Sequence, residues 1–301
     1  MALSSNARGA VFMACSMAGF TINDALTKSA LAYMNAGQVM FVRGAMTTLL
    51  VYLVARHIGG LANLRRLIQP YVLLRIFFET LAAITYLSAL GQIPLANASA
   101  ILQALPLAVT LGAAIFLREP VGWRRWTAIV VGFLGVMIII RPGPEGFTLA
   151  SIYVVFSVLT AASRDLVTKR IDPAIPSISV TLLTAASISL AGALLIVPMG
   201  GWHPLTWASM GTLFLAAAFL FVGYQMIIMA MRTGEISFIA PFRYTSLVWA
   251  VALGMIFFGE LPDIWMAVGT SIVIGSGLYT FYRENKRKSE SASQSLPVSP
   301  S

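Results

Sequence analysis

The sequence predicts an all-α membrane protein whose ten transmembrane helices form two inverted five-helix repeats. Composition, the length of the apolar runs and a duplication at constant spacing predict it together. Of 301 residues, 58% are hydrophobic and only 10% charged, against roughly 45–50% and 25% in an ordinary soluble domain. A water-soluble fold cannot hide that much apolar surface. The apolar residues fall in runs of about twenty, the length that crosses a hydrocarbon core of about 30 Å, and the charges cluster between the runs.

Taken in order, the runs and their breakers place helices near 9–27, 37–56, 71–90, 96–117, 125–141, 148–168, 176–198, 206–230, 237–258 and 264–282. The first run follows Arg8 and is trailed by Ala30-Leu31-Ala32, which imitates a signal-peptide cleavage site. The duplication described below argues instead for a retained helix. The longest link runs from His57 to Pro70 and contains Gly59-Gly60 and Arg65-Arg66. Gly91-Gln92-Ile93-Pro94 precedes the fourth helix and Pro106 breaks it; the ninth carries Pro241 near its start. No link has room for a soluble domain. After Tyr282 come Arg283, Lys286, Arg287 and Lys288 and then a Ser/Pro-rich stretch. That stretch lacks the apolar residues that offset ordering entropy, so 283–301 is expected to be a disordered cytoplasmic tail.

Cytoplasmic loops carry an excess of Lys and Arg, which gives the orientation. With the N-terminus inside, the cytoplasmic segments collect Arg8, Arg56, Arg65, Arg66, Arg118, Arg124, Arg125, Arg164, Lys169, Arg170, Arg232 and the four cations of the tail, 15 of the 20. The outer segments hold only Lys28 and Arg141, while Arg43, Arg75 and Arg243 fall within helices. Both termini are expected in the cytoplasm. The formal charge of +9 follows from this topology, and no basic face interleaved with exposed aromatics points to nucleic acid as a partner. Cys15 is the only cysteine, which excludes an intramolecular disulfide.

Three landmarks recur at a displacement of 141 residues. Asn23-Asp24-Ala25-Leu26-Thr27-Lys28 matches Arg164-Asp165-Leu166-Val167-Thr168-Lys169, Ala89-Leu90 matches Ala230-Met231, and Ile115-Phe116-Leu117-Arg118-Glu119 matches Ile256-Phe257-Phe258-Gly259-Glu260. The repeats are placed at 9–141 and 148–282. Five helices is an odd number, so the second repeat enters the membrane from the opposite side. Inverted repeats of this kind place a substrate site near the midplane, between the halves.

These features together resemble the EamA family of the drug/metabolite transporter superfamily. The resemblance is carried by Ala89-Leu90-Gly91-Gln92-Ile93-Pro94-Leu95-Ala96-Asn97-Ala98, the later Leu105-Pro106, and Phe116-Leu117-Arg118-Glu119-Pro120. It covers about residues 9 to 282 and implies a secondary transporter of a metabolite, in either direction. Ser16-Met17-Ala18-Gly19-Phe20-Thr21-Ile22-Asn23-Asp24 with Gly37-Gln38-Val39-Met40-Phe41-Val42-Arg43-Gly44 is similar to bacterial riboflavin transporters of this family. The resemblance thus implies riboflavin uptake across the inner membrane as the leading expectation.

An ionisable group at mid-bilayer costs about 2.5–3.5 kcal/mol on insertion scales and usually faces the bundle interior. Arg75 and Glu79 stand four apart on the third helix and can neutralise one another, with Tyr86 seven beyond Glu79 on the same face. The bland account has Arg75 snorkelling to the headgroups with Glu79 satisfying it. Gln103, Arg243 and Tyr244 flank the proline breaks of the fourth and ninth helices and are expected to wall one central cavity. Arg243 could equally be a cytoplasmic anchor. Tyr224 and Gln225 on the eighth helix can hydrogen-bond a substrate or a neighbouring helix. Asp24 with Lys28 reads as a structural pair, repeated as Asp165 with Lys169. Ala128 with Gly132 and Ser271 with Gly275 are expected to let the fifth and tenth helices approach closely.

No Gly-x-x-x-x-Gly-Lys-Ser/Thr loop occurs, His57 and His203 lie in links without a His-Glu-x-x-His setting, and there is no Gly-x-Ser-x-Gly elbow. No cofactor, metal or enzymatic activity is expected. The reading is facilitated or ion-coupled transport of a small, uncharged or weakly charged organic molecule through the bilayer, with Glu79 the candidate carrier if the coupling ion is a proton. Tyrosines near the cavity suit a planar ring, so riboflavin and an aromatic amino acid both fit. An exporter or importer of amino acids or another metabolite is the alternative, and an intramembrane enzyme or scaffold the rival from another class.

Overall fold

The computed structural model describes residues 4–60, 67–118, 122–141, 148–233 and 235–294. Ten of its helices are long and apolar enough to cross a membrane. They are α1 (Ser5–Leu31), α2 (Ala36–His57), α3 (Pro70–Leu90), α4 (Leu95–Phe116) and α5 (Trp123–Ile140), then α6 (Leu149–Thr168), α7 (Ser177–Leu195), α8 (Trp207–Thr233), α9 (Ala240–Phe258) and α10 (Ile264–Gln294). The bundle face that carries the start of α1 is called near here, and the opposite one far.

Local chemistry explains the ends. The Ser4 hydroxyl accepts from the Ala7 amide at 3.2 Å and the Asn35 side chain from the Gln38 amide at 2.9 Å, satisfying donors that a helix start leaves open. Pro70 occupies the first position of α3, where its missing N–H costs nothing. α9 stops at Gly259, whose φ of 64° is the left-handed conformation glycine adopts without strain. α4 is broken into Leu95–Leu102 and Leu105–Phe116, because Pro106 offers no N–H to the Leu102 carbonyl. α9 likewise opens as a 3-10 turn, Ala240–Tyr244, around Pro241. α10 continues as helix past Tyr282 to Gln294, further than its apolar run reaches. Residues 295–301, Arg65, Arg66, Glu119 and Pro120 lie outside the described residues.

The packing has the symmetry of the duplication. α1 packs along α8 and α3 along α6, α2 packs on α7 and α5 on α10, and α1 meets α9 as α6 meets α4. Exchanging each helix for the one five places on reproduces the same set of partners. Small residues permit these crossings. A Cβ at Gly192 would stand 2.5 Å from the Phe41 nitrogen, and one at Gly37 2.8 Å from the Leu195 carbonyl carbon, where α2 crosses α7. α5 and α10 touch through Gly135 and Gly269, each of whose Cβ positions lies within 2.8 Å of the other's carbonyl oxygen. Of the expected Ala128/Gly132 and Ser271/Gly275 pairs, Gly132 does meet α10, its Cβ position lying 2.6 Å from Ser276 Oγ, whereas a Cβ at Gly275 would meet open space, so that part of the expectation is corrected.

Candidate substrate site

Two polar clusters are strung along α3. Toward its near half, Glu79 accepts from Arg164 Nη1 of α6 at 2.5 Å, and Arg164 also holds its neighbour Asp165, at 2.8 Å. Two turns on, the Tyr86 hydroxyl donates to Asp24 Oδ2 of α1 at 2.9 Å. The Asn23 amide then bridges, donating to Asp24 Oδ1 at 2.9 Å while its own oxygen accepts from Arg43 Nη1 of α2 at 2.9 Å. Arg43 Nη1 also donates to Thr27 at 3.0 Å. Each charge thus meets a partner inside the bundle, as a low-dielectric interior requires.

Several sequence expectations change here. Arg75 and Glu79 share a face, but Glu79 pairs with Arg164 while Arg75 donates to Thr184 of α7 at 2.9 Å. Arg164 was counted with the cytoplasmic loops; it lies inside α6, its side chain 22% exposed. Asp24 and Lys28 do not form the expected pair, because Lys28 reaches Glu260 instead, at 2.7 Å. Asn23, Asp24, Arg43, Arg164 and Thr184 are therefore site-forming residues absent from the predicted set. Their signal was present in the intramembrane Arg43 and in the repeated Asp24 and Asp165, which lie seven and three residues short of the ends of α1 and α6 and read as structural pairs with Lys28 and Lys169.

Three cavities lie among these groups. A central one of about 90 Å³ is lined by Arg43, Thr47, Arg75, Glu79, Thr184 and Tyr224. Two larger ones occupy the near half and share Leu105, Pro106, Arg243, Gly277 and Phe281. The first, about 270 Å³, is lined also by Arg125, Asp165 and Lys169. The second, about 210 Å³, is lined also by Gln103, Pro241 and Tyr244. Taken together the two near volumes fall within the roughly 300–1,000 Å³ of small-molecule sites. Gln103, Arg243 and Tyr244, expected to wall one central cavity, together line the second near cavity instead. The proline breaks of α4 and α9 explain it, since Pro106 and Pro241 both line that cavity and an interrupted helix is tolerated where it borders one.

The predicted residues thus divide. Arg75, Glu79 and Tyr224 face the central cavity, and Gln103, Arg243 and Tyr244 the near ones. Arg164 and Asp165 join the two, one holding Glu79 and the other lining the 270 Å³ cavity. Tyr86 is engaged by Asp24, and Gln225 lines none of the three. Gln103 donates to Ser246 Oγ of α9 at 2.9 Å, linking the repeats at the break in α4. Tyr244 reaches α10 where Gly277 leaves room: a Cβ there would stand 1.9 Å from the tyrosine oxygen. Among the described residues no group of three or more His, Cys, Asp or Glu could hold a metal ion.

A ten-helix bundle with inverted symmetry and charged cavities between its halves defines a membrane transporter. Residues 7–141, which hold the first five helices, match the EamA-like transporter family, and the fold and the relatives make the chain a multi-pass transporter rather than an enzyme. It is 27% identical over 233 residues to a riboflavin transporter of Rhizobium johnstonii, covering 77% of each chain. An S-adenosylmethionine uptake transporter of Rickettsia bellii is 24% identical over 292 residues, covering 96% of this chain and 98% of that one. A pseudopaline exporter of Pseudomonas aeruginosa is 27% identical over 263 residues, covering 85% and 89%. A solved structure described as a crystal structure of protein shares the fold with a TM-score of 0.62 at 15% identity, over 91% of this chain and 96% of that one.

Proposed function

We propose that this transporter takes up riboflavin across the inner membrane, with both termini cytoplasmic and the repeats 9–141 and 148–282 rocking about a site between them. The observation that carries the site is the Glu79–Arg164–Asp165 chain, which joins the central cavity to the near ones at the bundle axis. Both repeats contribute, so relative motion of the halves changes the path on either side of it. In this reading Gln103, Tyr244 and Arg243 receive the molecule in the near half, where the tyrosine supplies a face for a planar ring and the guanidinium donates to ring carbonyls. Arg75, Glu79 and Tyr224 line the next stage. Tyr86 positions Asp24, and Gln225 serves the helix face beside Tyr224.

The riboflavin reading draws support from the relatives of that name and from the aromatic and donor groups of the near cavities. Flux of labelled riboflavin into proteoliposomes, set beside S-adenosylmethionine and a panel of amino acids, tests it. Saturable riboflavin uptake that the panel does not inhibit supports the reading. Saturable flux of a panel member with none of riboflavin transfers the assignment to that compound.

A further inference from the structure

Two landmarks of the duplication, the lysine closing α1 and the glutamate just beyond α9, lie 232 positions apart and meet at the far face. Lys28 Nζ stands 2.7 Å from Glu260 Oε1, with the side chains 10% and 18% exposed. The same ammonium donates to the Ile93 carbonyl and lies 5.3 Å from the Phe258 ring centroid. The other oxygen, Glu260 Oε2, accepts from the Leu95 amide at 2.7 Å. Leu95 is the first residue of α4, and the residue before it, Pro94, supplies no side-chain cap. A carboxylate from the second repeat therefore caps a helix of the first, where the positive end of the helix dipole favours it. Gly254 makes the return path: the Glu260 Oε2 atom lies 3.2 Å from where a Cβ would be. One ion pair thus fastens α1, the α3–α4 link, the start of α4 and the end of α9.

We infer that Lys28 and Glu260 form a lock that holds the far ends of the two repeats together, and that this pair must part before a substrate passes through the far face. The inference rests on the transport reading. Two further observations support it. The cavities of 270 and 210 Å³ lie in the near half, lined by residues at the near ends of α5, α6 and α10. Between them and the lock, Thr21, Ser246 and Gln103 bridge α1, α9 and α4.

The lock differs from a static brace in its effect on accessibility. In a Cys15→Ala background, Ser246→Cys places a thiol at the bridge between lock and cavity. Vesicles of known orientation are then exposed to a membrane-impermeant maleimide from the far face. Lys28→Gln and Glu260→Gln are each expected to raise the labelling rate by roughly tenfold or more, since each removes differential stabilisation of the closed state. Glu260→Gln keeps an acceptor for the Leu95 amide, so the ionic contribution is read apart from the cap. Lys28→Arg keeps the charge and is expected to label at the parental rate. Unchanged far-face labelling in both neutralised variants, with monodisperse elution and parental melting, overturns the proposal. The readout uses no substrate, so a failed riboflavin assignment leaves it intact, and failure of the lock leaves the flux assay unaffected.

Discussion

Arg164 on α6 grips Glu79 on α3 at 2.5 Å, joining the two repeats through a bridge whose side chains are only 22% and 16% exposed. Removing one member of such a pair strands the other charge, which costs about 3–5 kcal/mol when fully buried. Arg164→Gln is therefore expected to lower the melting temperature in detergent clearly. The double variant with Glu79→Gln should recover much of the loss. Additive losses in the double variant would show that the pair is not coupled.

Proton coupling through Glu79 makes a separate prediction. If the coupling ion is a proton and Glu79 carries it, uptake driven by an inward proton gradient should weaken as external pH rises and that gradient falls. Glu79→Gln is expected to flatten that dependence. A pH profile unchanged by the substitution assigns the coupling elsewhere.

The Gly277 position tests the near cavity without touching a polar group. A Cβ there would lie 1.9 Å from the Tyr244 hydroxyl oxygen, so Gly277→Ala must displace the ring and is expected to raise KM. Gly275→Ala, which meets open space, serves as the control and should transport normally.

At the α5–α10 crossing, Gly269 faces the Gly135 carbonyl oxygen at 2.6 Å from its Cβ position. Overpacking such a contact costs about 1–3 kcal/mol. Gly269→Ala should lower the melting temperature measurably, whereas Ala128→Ser, set as a comparison at the position the sequence favoured, should change it little.

The ten spans were legible because apolar runs of membrane length and their breakers are local features, and the inverted relation followed from the displacement and an odd helix count. The partners of charges were not. Arg75 and Glu79 share a helix face, but each turns to another helix, α7 and α6, and no spacing within α3 could show which neighbour approaches. Lys28 lies one turn from Asp24 and bonds a residue 232 positions away, a choice made by the α1–α9 packing. Gln103 and Tyr244, by contrast, were legible as one cavity because a proline break marks each and the duplication pairs them.

The central claim, that the cavities flanking the α4 and α9 breaks hold the substrate, is tested most directly by riboflavin counterflow in proteoliposomes with Arg243→Ala. A lost hydrogen bond to a charged group is worth about 1.5–3 kcal/mol, or roughly ten- to a hundredfold in affinity. The account predicts that KM rises by about that factor while the maximal rate changes little. Counterflow with an unaltered KM in a folded variant would contradict it.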